Sequence, residues 1–143
     1  MHSYIGVASP PMAAQSIYIM TELFYPELSY TIVGICFNAQ NYIGRFAKEK
    51  RYGDFIEREL TKKNIMFIRE CPIPKTNDRI DFLIDNKIII ELKSKRYILK
   101  TDYYQIQKYL HSLDIKLALL INFQNRHLKP IRIVKIDKNK YSS

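Results

Sequence analysis

An α/β sandwich around a central mixed β-sheet, with elements in the order ααβββαββ, is the fold class the sequence predicts. Three observations carry it. Apolar residues recur at three- and four-residue spacing in three separate stretches, the mark of amphipathic helices. Residues 79–93 read as two β-branched, apolar strands folded over the polar turn Asp85-Asn86-Lys87. Residues 116–123 form a nearly continuous apolar run, as expected of a strand buried on both faces.

In chain order, Ile32, Ile35, Cys36, Ala39 and Ile43 predict a first helix over residues 27–41, broken by Tyr42-Ile43-Gly44. Tyr52, Phe55, Ile56 and Leu60 repeat the stripe over 47–63, with Glu57, Arg58, Lys62 and Lys63 between them. Asn64 can end that helix in a left-handed conformation. Residues 65–72 bring Met66, Phe67 and Ile68 and then prolines, a strand whose far end is irregular or at an edge. The hairpin supplies strands two and three. Thr101 or Asp102 can cap a third helix over 102–112, with Ile106, Tyr109, Leu110 and Leu113 facing inward. The apolar run is strand four. Residues 131–136 alternate as strand five, with Arg132 and Lys135 outward.

At 143 residues the chain suits one domain with a real core. Its 47% hydrophobic and 26% charged residues exclude a disordered tail. We expect a loosely ordered lead-in at 1–21, the domain at 22–137 and a tail at 138–143. The opening lacks the basic start of a secretory signal, and its apolar run, interrupted by Pro10-Pro11, is too broken to span a bilayer. Cys36 and Cys71 have no metal-like spacing, so both are expected reduced and buried in a cytoplasmic protein. The net charge is +9, and all 23 Lys and Arg lie at Arg45 or later. That distribution favours a polyanionic partner such as nucleic acid over a membrane.

Three ionisable residues interrupt the apolar hairpin: Asp81, Glu91 and Lys93. Buried charge on a sheet needs compensation, and two carboxylates are natural ligands of a hard divalent cation, Mg²⁺ or Mn²⁺. The backbone carbonyl of Leu92 can join them, with Lys93 orienting water or stabilising charge on a phosphate. This sets a geometric condition. A two-residue turn puts Asp81 opposite Ile90, facing away from Glu91, whereas a three-residue loop over Asp85, Asn86 and Lys87 puts it opposite Glu91. The plainer explanation, an exposed Glu-x-Lys strand face making ordinary ion pairs, suits the apolar Ile88-Ile89-Ile90 less well.

Other residues can serve the same site. Gln105 and Tyr109 share a helical face and can position substrate, although an inward Tyr is often only core. Glu49, three residues before Tyr52, can approach the metal; an acid in a first helical turn is also simply favourable. Tyr52, Lys95, Arg96 and Lys100 are candidate nucleic-acid contacts. Arg126, Lys129, Arg132 and Lys135 form a second basic area that reads equally as a solvated face.

These residues resemble the GxxExxY family of the PD-(D/E)xK nuclease superfamily, over roughly residues 22–136. Tyr25-Pro26-Glu27-Leu28-Ser29-Tyr30-Thr31-Ile32-Val33-Gly34 looks like its opening helix signature. Lys116-Leu117-Ala118-Leu119-Leu120-Ile121-Asn122-Phe123 looks like its fourth strand. Asp81 and Glu91-Leu92-Lys93 match the metal and lysine positions, and Gln105-Ile106-Gln107-Lys108-Tyr109 matches the Gln-x-x-x-Tyr motif of RecB-type nucleases. Glu49-Lys50-Arg51-Tyr52 keeps the Glu-x-x-Tyr part, but Phe46 stands at the motif's glycine, and Asn38 and Gln40 stand where relatives often carry Glu and His.

The resemblance implies a restriction-endonuclease-like three-layer α/β/α sandwich and nuclease activity. The expected function is therefore Mg²⁺-dependent phosphodiester hydrolysis, in DNA before RNA, with Glu49, Asp81, Glu91, Lys93, Gln105 and Tyr109 as catalytic residues. The rival is a nuclease-fold module that binds nucleic acid or a protein without cutting. A third reading is a structural interaction domain that buries the apolar face of its first helix against a partner. The oligomeric state stays open between monomer and homodimer.

Overall fold

The computed structural model describes residues 24–137, so the expected lead-in at 1–21 and tail at 138–143 lie outside the described residues. Within that span the chain forms α1 (Pro26–Ile43), α2 (Glu49–Lys62), β1 (Phe67–Pro72), β2 (Arg79–Ile84), β3 (Ile88–Lys93), α3 (Lys100–Leu113), β4 (Leu117–Asn122) and β5 (Ile131–Val134). The strands form one sheet of order β1-β2-β3-β4-β5. All neighbours are antiparallel except β3 and β4, which run parallel and are joined by α3 as the crossover. The result is α/β around a mixed sheet.

Strand alternation divides the apolar residues between two cores. Phe82, Ile84, Ile88, Ile90, Leu92, Leu117, Leu119 and Ile121 point to one face, against Ile32, Ile35, Cys36 and Ala39 of α1 and Tyr52, Ile56 and Leu60 of α2. Leu83, Ile89, Ala118 and Leu120 point the other way, against Ile106, Tyr109 and Leu110 of α3. Helices on both faces explain why β4 is buried along its whole length. At a residue such as Ile90, which is fully buried, truncation to Ala would cost about 2–5 kcal/mol.

The element ends show what propensity alone does not. The second helix begins at Glu49 rather than residue 47, because Ala47 is held in the loop by side chains: its N–H donates to the Tyr52 hydroxyl (3.3 Å) and its carbonyl accepts from Ser94 Oγ (2.8 Å). The third helix begins at Lys100, with Leu99 and not Thr101 or Asp102 at its cap position. Asp102 sits one turn in and reaches back, accepting from the Leu99 N–H at 2.7 Å. The first strand starts at Phe67, since the Ile65 N–H still closes α2 onto the Leu60 carbonyl (3.0 Å) and Asn64 is left-handed (φ 55). The last strand ends at Val134, two residues earlier than expected, where its pairing with Leu117 ends. Gly44, at φ 93, closes α1 by donating to the Gln40 carbonyl at 2.7 Å. β1 lies at the sheet edge, where Pro72 costs no inner ladder bond. Among the described residues no helix is long and apolar enough to cross a membrane.

Candidate active site

The hairpin meets the parity condition. Phe82 pairs with Ile90, Leu83 with Ile89 and Ile84 with Ile88, leaving Asp85, Asn86 and Lys87 in the turn. Asp85 and Asn86 are both left-handed at φ 52, and the Lys87 N–H donates to the Ile84 carbonyl at 2.9 Å. Short polar side chains tolerate that conformation, which is why the turn forms here. Continued by one residue, the same register sets Asp81 across from Glu91.

Side chains take over the pairing at that point. The Asp81 N–H donates to Glu91 Oε1 (2.8 Å), and the Leu92 N–H donates to Asp81 Oδ2 (2.7 Å). Each carboxylate therefore bridges the two strands, and the pair is anchored where β2 and β3 end their ladder. On the other side of β2, Arg69 pairs with Phe82 and Cys71 with Ile80, while Glu70, between them, leaves the strand conformation at φ 53. A left-handed residue other than glycine costs roughly 1–3 kcal/mol, so the sheet holds Glu70 beside Asp81 against local preference.

An open cleft of ≈ 530 Å³ runs from this fork to the first turn of α2, lined among others by Glu49, Arg69, Glu70, Asp81 and Leu92. Arg69 lies against Gly53 of α2, where a Cβ would stand 2.6 Å from its guanidinium. It is tied there by Asp54 (2.7 Å) and Glu57 (3.1 Å).

The electrostatics of the fork are one-sided. Burial pushes Asp81 up to about 6, and the charges of Glu49 and Glu70 add to it, against the Leu92 N–H and Lys93. Burial and then the Asp81 charge push Glu91 up to about 8, again with Glu49 adding and Lys93 opposing. Lys93 acts against the rise in both carboxylates, and it is shared: its Nζ is 3.8 Å from Asp102 Oδ1, while Lys95 Nζ is 2.5 Å from Asp102 Oδ2. Burial acts to raise Asp102, but Lys95, the Leu99 N–H and Lys93 hold it below the usual carboxylate range. The Tyr109 hydroxyl is pushed up to about 12 by burial and by the charges of Asp78 and Glu91; it donates to Asp78 and accepts from Gln105. Gln105 and Tyr109 thus share the face of α3 turned toward the hairpin.

The family model of the PD-(D/E)XK nuclease superfamily matches residues 26–134, from the start of α1 to the end of β5. The chain belongs to the PD-(D/E)XK nuclease superfamily. Searches of curated proteins and of solved structures gave no match. Membership implies a nuclease acting on nucleic acid, and PD-(D/E)XK nucleases generally use divalent metal ions.

The donor set of this superfamily member suits such an ion. Asp81 and Glu91 bring hard carboxylate oxygens together in a buried place, and burial is the main reason both hold their protons above the usual carboxylate range. Among the described residues no three Asp, Glu, His or Cys side chains form a group ready to hold a metal ion. The fork therefore offers two carboxylates engaged with backbone N–H groups, with Leu92 and Glu49 on the wall of the same cleft.

Of the other expected site residues, Lys95 is bound to Asp102, Arg96 is exposed with its guanidinium 5.4 Å from the Tyr97 ring, and Lys100 is exposed at the start of α3. Tyr52 is elsewhere. It is fully buried, stacked on Phe123 with ring centroids 3.9 Å apart, and its hydroxyl donates to the Gly44 carbonyl. The Tyr52 contact to nucleic acid is thereby corrected: this side chain fastens the loop before Glu49 and offers no surface to a ligand. Sequence reasoning missed Glu70, Arg69 and Asp78 as neighbours of the site and read Asp102 only as a helix cap. A β1–β2 register would have found Glu70, but the irregular link at 73–78 hides its parity.

Proposed function

We propose that this chain is a Mg²⁺- or Mn²⁺-dependent nuclease of the GxxExxY type that hydrolyses phosphodiester bonds, preferring DNA to RNA. The observation that carries the reading is the fork, in which the buried Asp81 and Glu91 meet across two strands and both hold their protons above the usual carboxylate range. Helices packed on both faces of the sheet support the restriction-endonuclease-like three-layer arrangement. Asp81, Glu91 and the Leu92 carbonyl would hold the ion, with Glu49 assisting. A bound divalent ion neutralises charge on the phosphate and lowers the pKa of water.

The chain's own residues do the rest. Lys93 orients water and phosphate, and Asp102 limits where its ammonium can go. Gln105 and Tyr109 fix the substrate from α3, and Lys95, Arg96 and Lys100 contact the phosphate backbone. A cytoplasmic location fits two cysteines that are both free and buried. The rival reading, binding without cutting, draws on the same hydrogen bonds, since both carboxylates are already engaged. Purified protein incubated with DNA and RNA, in Mg²⁺, Mn²⁺ or EDTA, separates the two. Metal-dependent cleavage of DNA that is lost in Asp81→Ala and Lys93→Ala supports the nuclease; equal cleavage by Lys93→Ala would sink the mechanism.

A further inference from the structure

The loop between α1 and α2 holds an aromatic ring out in water. Phe46 is 74% exposed, although burying a Phe side chain is worth about 1.5–3 kcal/mol. Slackness of the loop does not explain the exposure, because both flanks are pinned. Before Phe46, the Arg45 guanidinium donates twice to the Gln124 carbonyl (2.9 and 2.7 Å), and the Tyr52 hydroxyl holds the Gly44 carbonyl. After it, Ala47 is held at both N–H and carbonyl by Tyr52 and Ser94. The Arg45 guanidinium lies 4.9 Å from the ring centroid, bracing the ring from one side.

The surroundings select the kind of partner. Phe46 borders a shallow surface pocket with Lys48, Lys50 and Arg51, all exposed. Lys50 and Asp54 line both this pocket and the cleft that holds Glu49 and Asp81, so the two are neighbours on the surface. Lys50 is paired with Asp54, which leaves Lys48 and Arg51 as the cations beside the ring; an aromatic face flanked by these two, next to the proposed nuclease cleft, fits an unpaired base whose backbone runs on toward that cleft. We propose that Phe46 is a stacking platform for single-stranded nucleic acid, held by the loop 44–48 and flanked by Lys48 and Arg51 as phosphate contacts. The proposal rests on the nucleic-acid reading above and adds to it a preference for unpaired strands.

The test measures binding of a labelled thymidine oligonucleotide and of a blunt duplex in EDTA, by fluorescence anisotropy. Phe46→Ala should weaken single-strand binding about tenfold and leave duplex binding nearly unchanged, and Phe46→Tyr should restore it. The chain contains no tryptophan, so Phe46→Trp places a lone reporter at the site. Its emission should be quenched on adding the single strand. Unchanged affinity in Phe46→Ala, an equal loss for the duplex, or an unquenched Trp would each overturn the platform. A wild-type dimer that Phe46→Ala converts to monomer would also overturn it, identifying the ring as a self-association contact. A protein that passes these tests but cuts nothing in Mg²⁺ refutes the nuclease and leaves the platform standing; one that cuts but fails them refutes the platform alone.

Discussion

Glu91 shows at the scale of one residue how a site sets chemistry against stability. Its carboxyl is buried beside Asp81, so the folded state holds its proton up to about pH 8, against about 4.5 for the free side chain. Between those values the folded chain binds more protons than the unfolded one, and stability falls as pH rises. Glu91→Gln keeps an acceptor for the Asp81 N–H and removes the charge. We expect it to raise stability by about 1–3 kcal/mol at pH 8 and hardly at all at pH 4.5, measured by urea unfolding, while cleavage is lost. Mg²⁺ should act in the same place. Millimolar Mg²⁺ should raise the melting temperature of the wild type more at pH 8 than at pH 5.5 and do nothing for Asp81→Ala; an equal shift in both proteins would mean the ion binds elsewhere.

Among the elements, the junction of α1, α2 and the end of β3 decides where Glu49 stands. Tyr52 belongs to the same apolar stripe as Ile56 and Leu60, which was the signal that it faces inward; its spacing from Glu49 suggested a ligand contact instead. A phenol can satisfy either pattern, and only the ring of Phe123 beneath it settles the choice. Tyr52→Phe keeps the stacking and drops the hydroxyl's bonds to Gly44 and Ala47. It should cost about 1–2 kcal/mol by thermal or urea unfolding. It should also lower kcat more than it raises KM, because Glu49 loses its fixed starting point; a pure KM effect would assign Tyr52 to substrate binding after all. The hairpin was more readable. Apolar runs on both sides of three polar residues, two of them tolerant of left-handed angles, leave few other turns.

For the molecule as a whole, the +9 charge is a statement about association. Lys95, Arg96 and Lys100, from a loop and a helix start, are three of the contacts proposed to the phosphate backbone, and each ion-paired phosphate releases counterions. With about four such contacts, log Kd for duplex DNA should rise with log salt with a slope near 3 to 4, falling by about 1 in Lys100→Ala. A slope near zero would remove these residues from the interface. The two cores obey the same division of labour. Their residues were legible as periodic stripes, but which stripe covers which sheet face depends on the parallel β3–β4 crossover, a contact between distant segments.

By itself the sequence indicated the element types and their order over the described residues from periodicity, and it reduced the meeting of Asp81 and Glu91 to a condition on the length of one turn. Those are local matters, set by side-chain alternation and backbone tolerance within a few residues. Tertiary structure alone decided that Glu70 joins the fork, that Asp102 holds Lys93 and Lys95, that Tyr52 is core, and that Phe46 is held outward. The last two depend on segments far apart in the chain, since Tyr52 stacks on Phe123 and Arg45 beside Phe46 is held by Gln124; the first two depend on how a strand, a loop or a helix start folds back on its neighbour, which periodicity does not encode.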